Sequence, residues 1–490
     1  MHLTRGLVPF WDDMMIDWRF TDAVLSVNKP QKADVAFVCN ASWEGNATDF
    51  FTIVRDEDKY RLYYEAWWWM DPNYPEGYFI NVCYAESTDG LHWERPNLGM
   101  CEFRGSRDNN IIMLKIEDNF TVMRDDNPAC LPEHRYKAVM FCSDPDDSLI
   151  GLEKVTGNET KNSLVCLVSS DGLHFTPYSV ISRGYAYDTM NSLHWNPHTK
   201  KYYCYIREFH VNPDNPNSDK NETHVRGIRV LESEDFVNWS DPKPLNFMGG
   251  EDYPLYTNCV TAYPYDTRYY IGFPTRYVER KSWTPNYDRL CGAELRRRKM
   301  SGGNDPRMGL AITDCVFMSS RDNVNWYRFD EACITPGPER EDNWVYGDCY
   351  PALGGLIRTP SKFAGEPDEL SIYVENRTGS VDQLDRYTYR IDGFASVKAG
   401  YKTKTLMTKP FTFDGDILSL NFRTSARGEI VMKIIDERGN TIEGYTTCPL
   451  FGDSIERIVD FEKPLAELAG KTVRFVFEMS DAELYAFRLS

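Results

Sequence analysis

The chain has 490 residues, 55 basic and 74 acidic, a formal net charge of −19 and 42% hydrophobic side chains. An acidic balance of this size disfavours a nucleic-acid partner, which needs a basic face for phosphate. No apolar run approaches the ~18 residues of a membrane span, and the length predicts several domains or a repeat fold. The 13 cysteines form no CxxC pair and the 8 histidines no HExxH motif. Neither a disulfide framework nor a metal site is predicted, and a reducing cytoplasm is the expected compartment. Residues 1–20 carry Asp12, Asp13 and Asp17 and no clean apolar core, so no secretory signal is expected. Aromatic residues make up 14% of the chain; they favour strands and offer flat faces on which sugar rings can stack.

In chain order, residues 1–39 are read as a segment that can supply the strand closing a ring. Short runs rich in Tyr, Phe, Ile and Val follow at 60–66, 201–206, 268–273 and 371–374, bounded by Gly, Pro, Asn and Asp. Long helical periodicity is nearly absent, which predicts an all-β protein. Ser87-Thr-Asp-Gly-Leu-His-Trp93 recurs as Ser169-Ser-Asp-Gly-Leu-His-Phe175, and more weakly at Ser233–Trp239 and Ser320–Trp326. The shared skeleton is Ser-x-Asp-x-x-x-aromatic. The aspartate can bond the backbone of the tight turn that follows it, and the aromatic can pack between sheets. Each copy is expected to join the two outer strands of one blade. A fifth unit, 344–395, lacks the box. Dividing 40–395 by five gives roughly 71 residues per unit, a fit to a five-bladed β-propeller over 1–395. From 396 to 490 the alternation of Ile430, Met432 and Ile434, and of Val473, Phe475, Phe477 and Met479, predicts a C-terminal β-sandwich. Asp436–Asn440 reads as one of its hairpin turns.

These features resemble the five-bladed furanosidase superfamily: glycoside hydrolase families 32, 43, 62 and 68 and the phosphorylases of family 130. The nearest likeness is to uncharacterised bacterial proteins labelled family 32-like. The residues that carry it are Trp43-Glu44-Gly45, 87–99, 105–111, Arg124-Asp125-Asp126 with 135–138, 188–207 and 482–490. The family 32 Asn-Asp-Pro-Asn motif and Glu-Cys pair are absent, and Asp126 replaces the proline of its Arg-Asp-Pro motif. The resemblance implies a glycosidase, exo-acting on terminal furanose or modified sugars of small oligosaccharides. It also implies a carbohydrate partner and no cofactor, and it admits an axial calcium that no ligand spacing here demonstrates. A homo-oligomer is left open. A glycoside phosphorylase, with Arg207, Arg276 and His194 at the funnel, and a non-catalytic carbohydrate-binding propeller are the alternatives.

Glycosidic cleavage needs two carboxyl groups, one to protonate the leaving oxygen and one to attack or to activate water. In a propeller the innermost strands surround the axis, so one acid near the start of each can converge on a funnel. The candidates in chain order are Glu44, Asp125, Asp188, Asp252 (with Glu251 beside it) and Asp348. Glu44, Asp125 and Asp188 are taken as catalytic. The resemblance puts Asp125 in a supporting role beside Arg124, with Glu44 and Asp188 dividing acid and nucleophile or base duties. Asp252, Asn191, Arg207, Trp344 and Asp348 are taken as substrate-binding. Arg207 either meets a substrate anion or pairs with a neighbouring acid. Among Trp67, Trp68 and Trp69, one could be a sugar platform and at least one belongs to the core. Tyr346 and Asn258 are further candidates for sugar contact. The stretches 214–222 and 295–307 read as polar loops, the latter alternatively as a lid or oligomer contact.

Overall fold

The computed structural model describes residues 1–68, 79–143, 162–212, 224–302, 307–340, 343–377 and 382–490. Five antiparallel sheets surround one axis as a five-bladed propeller, as the repeat predicts. Blade one runs Ala47–Arg55, Tyr60–Trp68, Phe79–Ser87 and Ile111–Ile116 from the axis outward. Blade two runs Asp118–Arg124, Tyr136–Cys142, Ser163–Ser169 and Thr176–Arg183. Blade three runs Ser192–Asn196, Lys201–Val211, His224–Ser233 and a short outer strand, Lys243–Pro244. In blade four Val260–Ala262 is innermost. A second strand in two pieces, Tyr270–Gly272 and Thr275–Glu279, precedes Ala311–Ser320 and Asn325–Ile334. Blade five runs from Tyr350–Pro351 through Glu369–Arg377 and Asp382–Arg390 to Gln31–Cys39.

The outermost strand of blade five thus comes from the start of the chain, with Asp382 opposite Cys39 and Thr388 opposite Gln31. The residues before it serve the other sheet: Val24–Val27 pairs with Ala395–Ala399, and Gly6–Pro9 pairs with the final strand. That C-terminal sandwich is built on two long strands, Leu418–Asp436 and Val473–Leu489. Phe411, Phe475 and Phe487 are buried in its core. At its predicted hairpin turn the Asn440 amide donates to Asp436 Oδ1 at 2.8 Å.

All four Ser-x-Asp boxes fold the same way. In the first, Ser87 Oγ accepts from the Gly90 amide (2.9 Å), and Asp89 Oδ1 accepts from the Leu91 and His92 amides (2.7 and 2.9 Å). Asp171, Asp235 and Asp322 repeat the pattern. These donors hold Asp89, Asp171, Asp235 and Asp322 below the usual carboxylate range. The third residue after each serine pair, Gly90, Gly172, Phe236 or Asn323, has a positive φ. Three boxes are then gripped by a tyrosine of the preceding blade: Tyr373 on Gly90 O, Tyr63 on Gly172 O (2.9 Å) and Tyr205 on Asn323 Oδ1. The box is therefore a blade-to-blade clamp as well as a turn.

Candidate active site

Where the inner strands begin, one backbone kink recurs. Asp49, Asp118, Asn258 and Asp348 each precede a non-glycine residue in the left-handed region: Phe50 (φ 55°), Asn119 (55°), Cys259 (41°) and Cys349 (62°). Bulky side chains adopt this conformation at a cost, and such outliers concentrate at functional sites. In blade one the strand ladder slips between Asp49 and Thr52 at this kink, the kind of bulge that re-aims a side chain.

Just below the kinks the blades are laced to one another. Glu65 Oε1 accepts from the Phe120 amide between blades one and two (2.6 Å). Asn191 Nδ2 donates to Asn119 Oδ1 between two and three (3.0 Å). Ser192 Oγ donates to Asn258 Oδ1 between three and four (2.6 Å). Cys259 Sγ donates to Pro351 O between four and five (2.8 Å), and the Ile53 amide to Leu353 O between five and one (2.7 Å). Asn119, Asn191, Ser192, Asn258 and Cys259 are all buried, so the axis is closed here and the funnel is a pit.

Four carboxyl groups come near enough to interact at this end of the inner strands: Asp49, Glu65, Asp118 and Asp188. Burial, with the charge of Asp188 next and that of Asp49 further down, pushes Asp118 up to about 8, against the opposing pull of Arg207. Its Oδ1 has no hydrogen-bond partner among the described residues. Burial, then Asp118 and Asp49, also raise Glu65 well above the carboxylate range. Glu65 Oε2 accepts from Trp67 Nε1 at 3.0 Å, which fixes its position. Asp118 therefore holds its proton at neutral pH, and both shifts are the expected outcome when carboxylates crowd in a dry site. Asp188 faces outward, its carboxylate bound by Arg207 Nη1 at 3.0 Å. Arg207 lies over the Tyr256 ring at 5.0 Å, and the Tyr256 hydroxyl is hydrogen-bonded by Tyr346. Tyr350 and Tyr277 stack on Tyr256. An aromatic wall thus stands beside the acids.

The insertion between the blade-four strands helps to place that wall. Residues 295–307, read as a loop, include most of a helix, Ala293–Gly302. Its Arg296 is buried and donates to Asn343 O (2.8 Å) and Trp344 O (3.1 Å). Trp344 itself has a φ of 61°. The helix therefore pins the strained loop that delivers Tyr346.

Of the residues singled out in the sequence, Asp188 and Arg207 meet in the pit, and Arg207 takes the ion-pair alternative. Glu44 does not reach the acid cluster: it is buried and tied to Arg95 Nε (2.7 Å), to Tyr64 and to the Ala41 amide. Asp125 lies at the far end of the strand that begins at Asp118, roughly 20 Å away at about 3.3 Å per residue. There it meets Lys137 and Tyr202; Arg124 instead faces Asp56, Glu57 and Asp126. Asn191 is spent on Asn119, Tyr187 O and Thr189 O. Asp252 lies at the rim, bound by His210 Nε2 (2.9 Å) and Asn212 (2.7 Å). Asp348 is buried, and the Val345 amide donates to its Oδ2. Trp344 Nε1 donates to Gly337 O, and its side chain lines a separate cavity beside Tyr287. Asn258 is committed to the axial lacing. Trp68 stacks on Phe79, while Trp69 and 214–222 lie outside the described residues. His194 is buried against Tyr205, which pushes it down to about 3, and Arg276 is paired with Asp314 at 2.6 Å. Asp49, Glu65, Asp118 and Tyr256 escape the sequence reading; the kink that marks Asp49 and Asp118 has no fixed residue type. Among the described residues no group of three His, Cys, Asp or Glu side chains is arranged to hold a metal ion.

No family model and no curated protein matches the sequence. Similar solved structures include an N-acetylgalactosamine deacetylase from F. plautii in complex with blood group B trisaccharide. It has 13% identity over 94% of this chain and 95% of that one, with a TM-score of 0.42. An α-L-arabinanase of Penicillium chrysogenum complexed with arabinobiose shares 12% identity over 79% and 94% of the two chains, TM-score 0.35. A family 32 β-fructofuranosidase of Bombyx mori shares 10% over 97% and 95%, TM-score 0.36.

Proposed function

We propose that the protein is a glycoside hydrolase that removes the terminal unit of a small carbohydrate, using Asp49, Asp118 and Asp188. The observation that carries this reading is the buried Asp118 at the head of an inner strand, which burial and the charges of Asp188 and Asp49 push up to about 8. One carboxyl kept acidic beside a second carboxylate is the asymmetry that glycosidic cleavage requires. In this scheme the Asp118–Asp188 pair supplies the proton to the leaving oxygen, with the outward-facing Asp188 meeting it. Asp49, on the neighbouring inner strand, attacks the anomeric carbon or activates water. The aromatic wall around Tyr256 offers a face for the sugar ring. The laced floor supports an exo mode, since a chain can enter a closed pit only by its end. All thirteen cysteines are free, which supports a reducing compartment.

A panel of aryl furanosides, aryl pyranosides and oligosaccharides, assayed with and without inorganic phosphate, tests the proposal. Phosphate-independent release of a terminal sugar, lost in Asp118→Asn and Asp188→Asn, is the expected result. Turnover that requires phosphate would assign phosphorolysis, and full activity in both variants would remove these acids from the chemistry.

A further inference from the structure

Beside the pit, between blades three and four, lies a second cavity of about 310 Å³. It exists because the outer strand of blade three is short. Lys243–Pro244 pairs only with Arg229 and Val230. On the Gly227 side of that pair, the Leu245 amide on Ile228 O and the Leu255 amide on Arg226 O are the backbone bonds that reach this edge among the described residues. Gly227 stands in that gap, and a side chain there would come within 3.0 Å of Glu208 Cγ and 3.3 Å of His210 Nδ1. The glycine thus keeps the cavity open.

The cavity adjoins the acids. Arg226 lines it and lies 5.8 Å from the centre of the Tyr256 ring, the ring that Arg207 covers while it holds Asp188. Its chemistry is mixed. Arg328 lies 3.9 Å from the Tyr253 ring centre and 4.5 Å from that of Phe247, and its Nε has no hydrogen-bond partner among the described residues. His210 bridges Asp252 at 2.9 Å and Glu208 at 3.3 Å. The carboxylates of Glu208, Glu251 and Asp252 stand against the guanidiniums of Arg226 and Arg328, and Arg229 pairs with Glu208 at 2.6 Å, so the charges balance and suit a neutral ligand. Hydroxyl groups can donate to carboxylates and accept from guanidinium, and the apolar face of a ring can lie on Phe247 and Leu245. The volume is at the lower end for a small-ligand site, ~300 Å³.

We propose that this cavity is a carbohydrate subsite for a neutral sugar ring, the one linked to the unit held over Asp188. The inference rests on the glycosidase reading and adds that the preferred substrate is neutral and at least two units long. It is tested by binding, without turnover, using Asp188→Asn protein on neutral mono-, di- and oligosaccharides, with uronate-bearing and phosphorylated sugars for comparison. A neutral disaccharide should bind at least tenfold more tightly than its terminal monosaccharide. Asp252→Ala or, as a second variant should that one not fold, Phe247→Ala should abolish the gain without a change in monosaccharide binding. Monosaccharide binding with no gain from a second ring, a gain that survives both substitutions, or preference for the anionic sugars would overturn the subsite and leave the glycosidase reading standing. Absence of binding to any saccharide would overturn both.

Discussion

Arg207 and Asp188 form an ion pair of opposite exposures: the guanidinium side chain is 3% exposed and the carboxylate 53%, at 3.0 Å. Arg207 Nη2 also binds the Asp188 carbonyl at 2.8 Å, so a buried cation presents an acid to the mouth of the pit. Asp188→Asn keeps an oxygen for Arg207 and removes the carboxylate. Turnover should fall by about 10²–10⁴-fold, the range for a lost proton-transfer group, with a melting temperature within a few degrees of the parent. Activity within threefold of the parent would remove Asp188 from the chemistry.

Asp118 makes stability depend on pH. Its ordinary value of 3.8 rises to about 8 in the fold. Between these values the folded state holds a proton that the unfolded state has released. The contribution is therefore fully present below about pH 4 and lost as pH rises through about 8. Asp118→Asn should melt at progressively higher temperature relative to the parent as pH goes from 5 to 9. A constant difference across that range would show that Asp118 is not raised.

Arg95 should matter to the fold and not to the chemistry. Its guanidinium meets both oxygens of the buried Glu44 carboxylate at 2.7 and 3.0 Å. Arg95→Met leaves that charge buried and uncompensated, which costs about 3–5 kcal/mol. Urea denaturation should show the loss, while kcat at 20 °C stays within twofold. A tenfold fall in kcat in folded protein would bring Glu44 back into the mechanism.

Arg296 acts through the loop it holds. Arg296→Met strands the carbonyls of Asn343 and Trp344. Near-UV circular dichroism should change, and KM should rise several-fold with an unaltered pH profile. A purely structural role would lower the melting temperature and leave KM unchanged.

Deleting residues 396–490 removes the strand partners of Gly6–Pro9 and Val24–Val27. It also uncovers the packing of Ala486 against the core that holds Leu7 and Trp11. The truncated chain should be insoluble; a soluble, folded product would show that the propeller stands alone.

The repeat was legible because the box is chemistry confined to seven residues: serine and aspartate must cap the same turn each time. The funnel acids are set otherwise. Asp49-Phe50, Asp118-Asn119, Asn258-Cys259 and Asp348-Cys349 share a backbone conformation and no residue type, and their convergence depends on the closure of the ring. Glu44 and Asp125 sit in recognisable motifs because structural carboxylates also need fixed partners, here Arg95 and Lys137. Asp188 was legible as an acid ahead of an inner strand, within the 188–207 stretch that carries the family resemblance. The helix at 293–302 was missed because its packing, through Arg296, does not show as an apolar stripe.

The strand Gln31–Cys39 is made about 340 residues ahead of its partner, Asp382–Arg390. At roughly 5–20 residues per second on the ribosome, the opening segment waits the better part of a minute for its mate. Four blades emerge before the circle can shut. A nascent chain would therefore carry an unpaired sheet edge while those intervening residues are made, a target for chaperones and a point at which stalled translation favours aggregation.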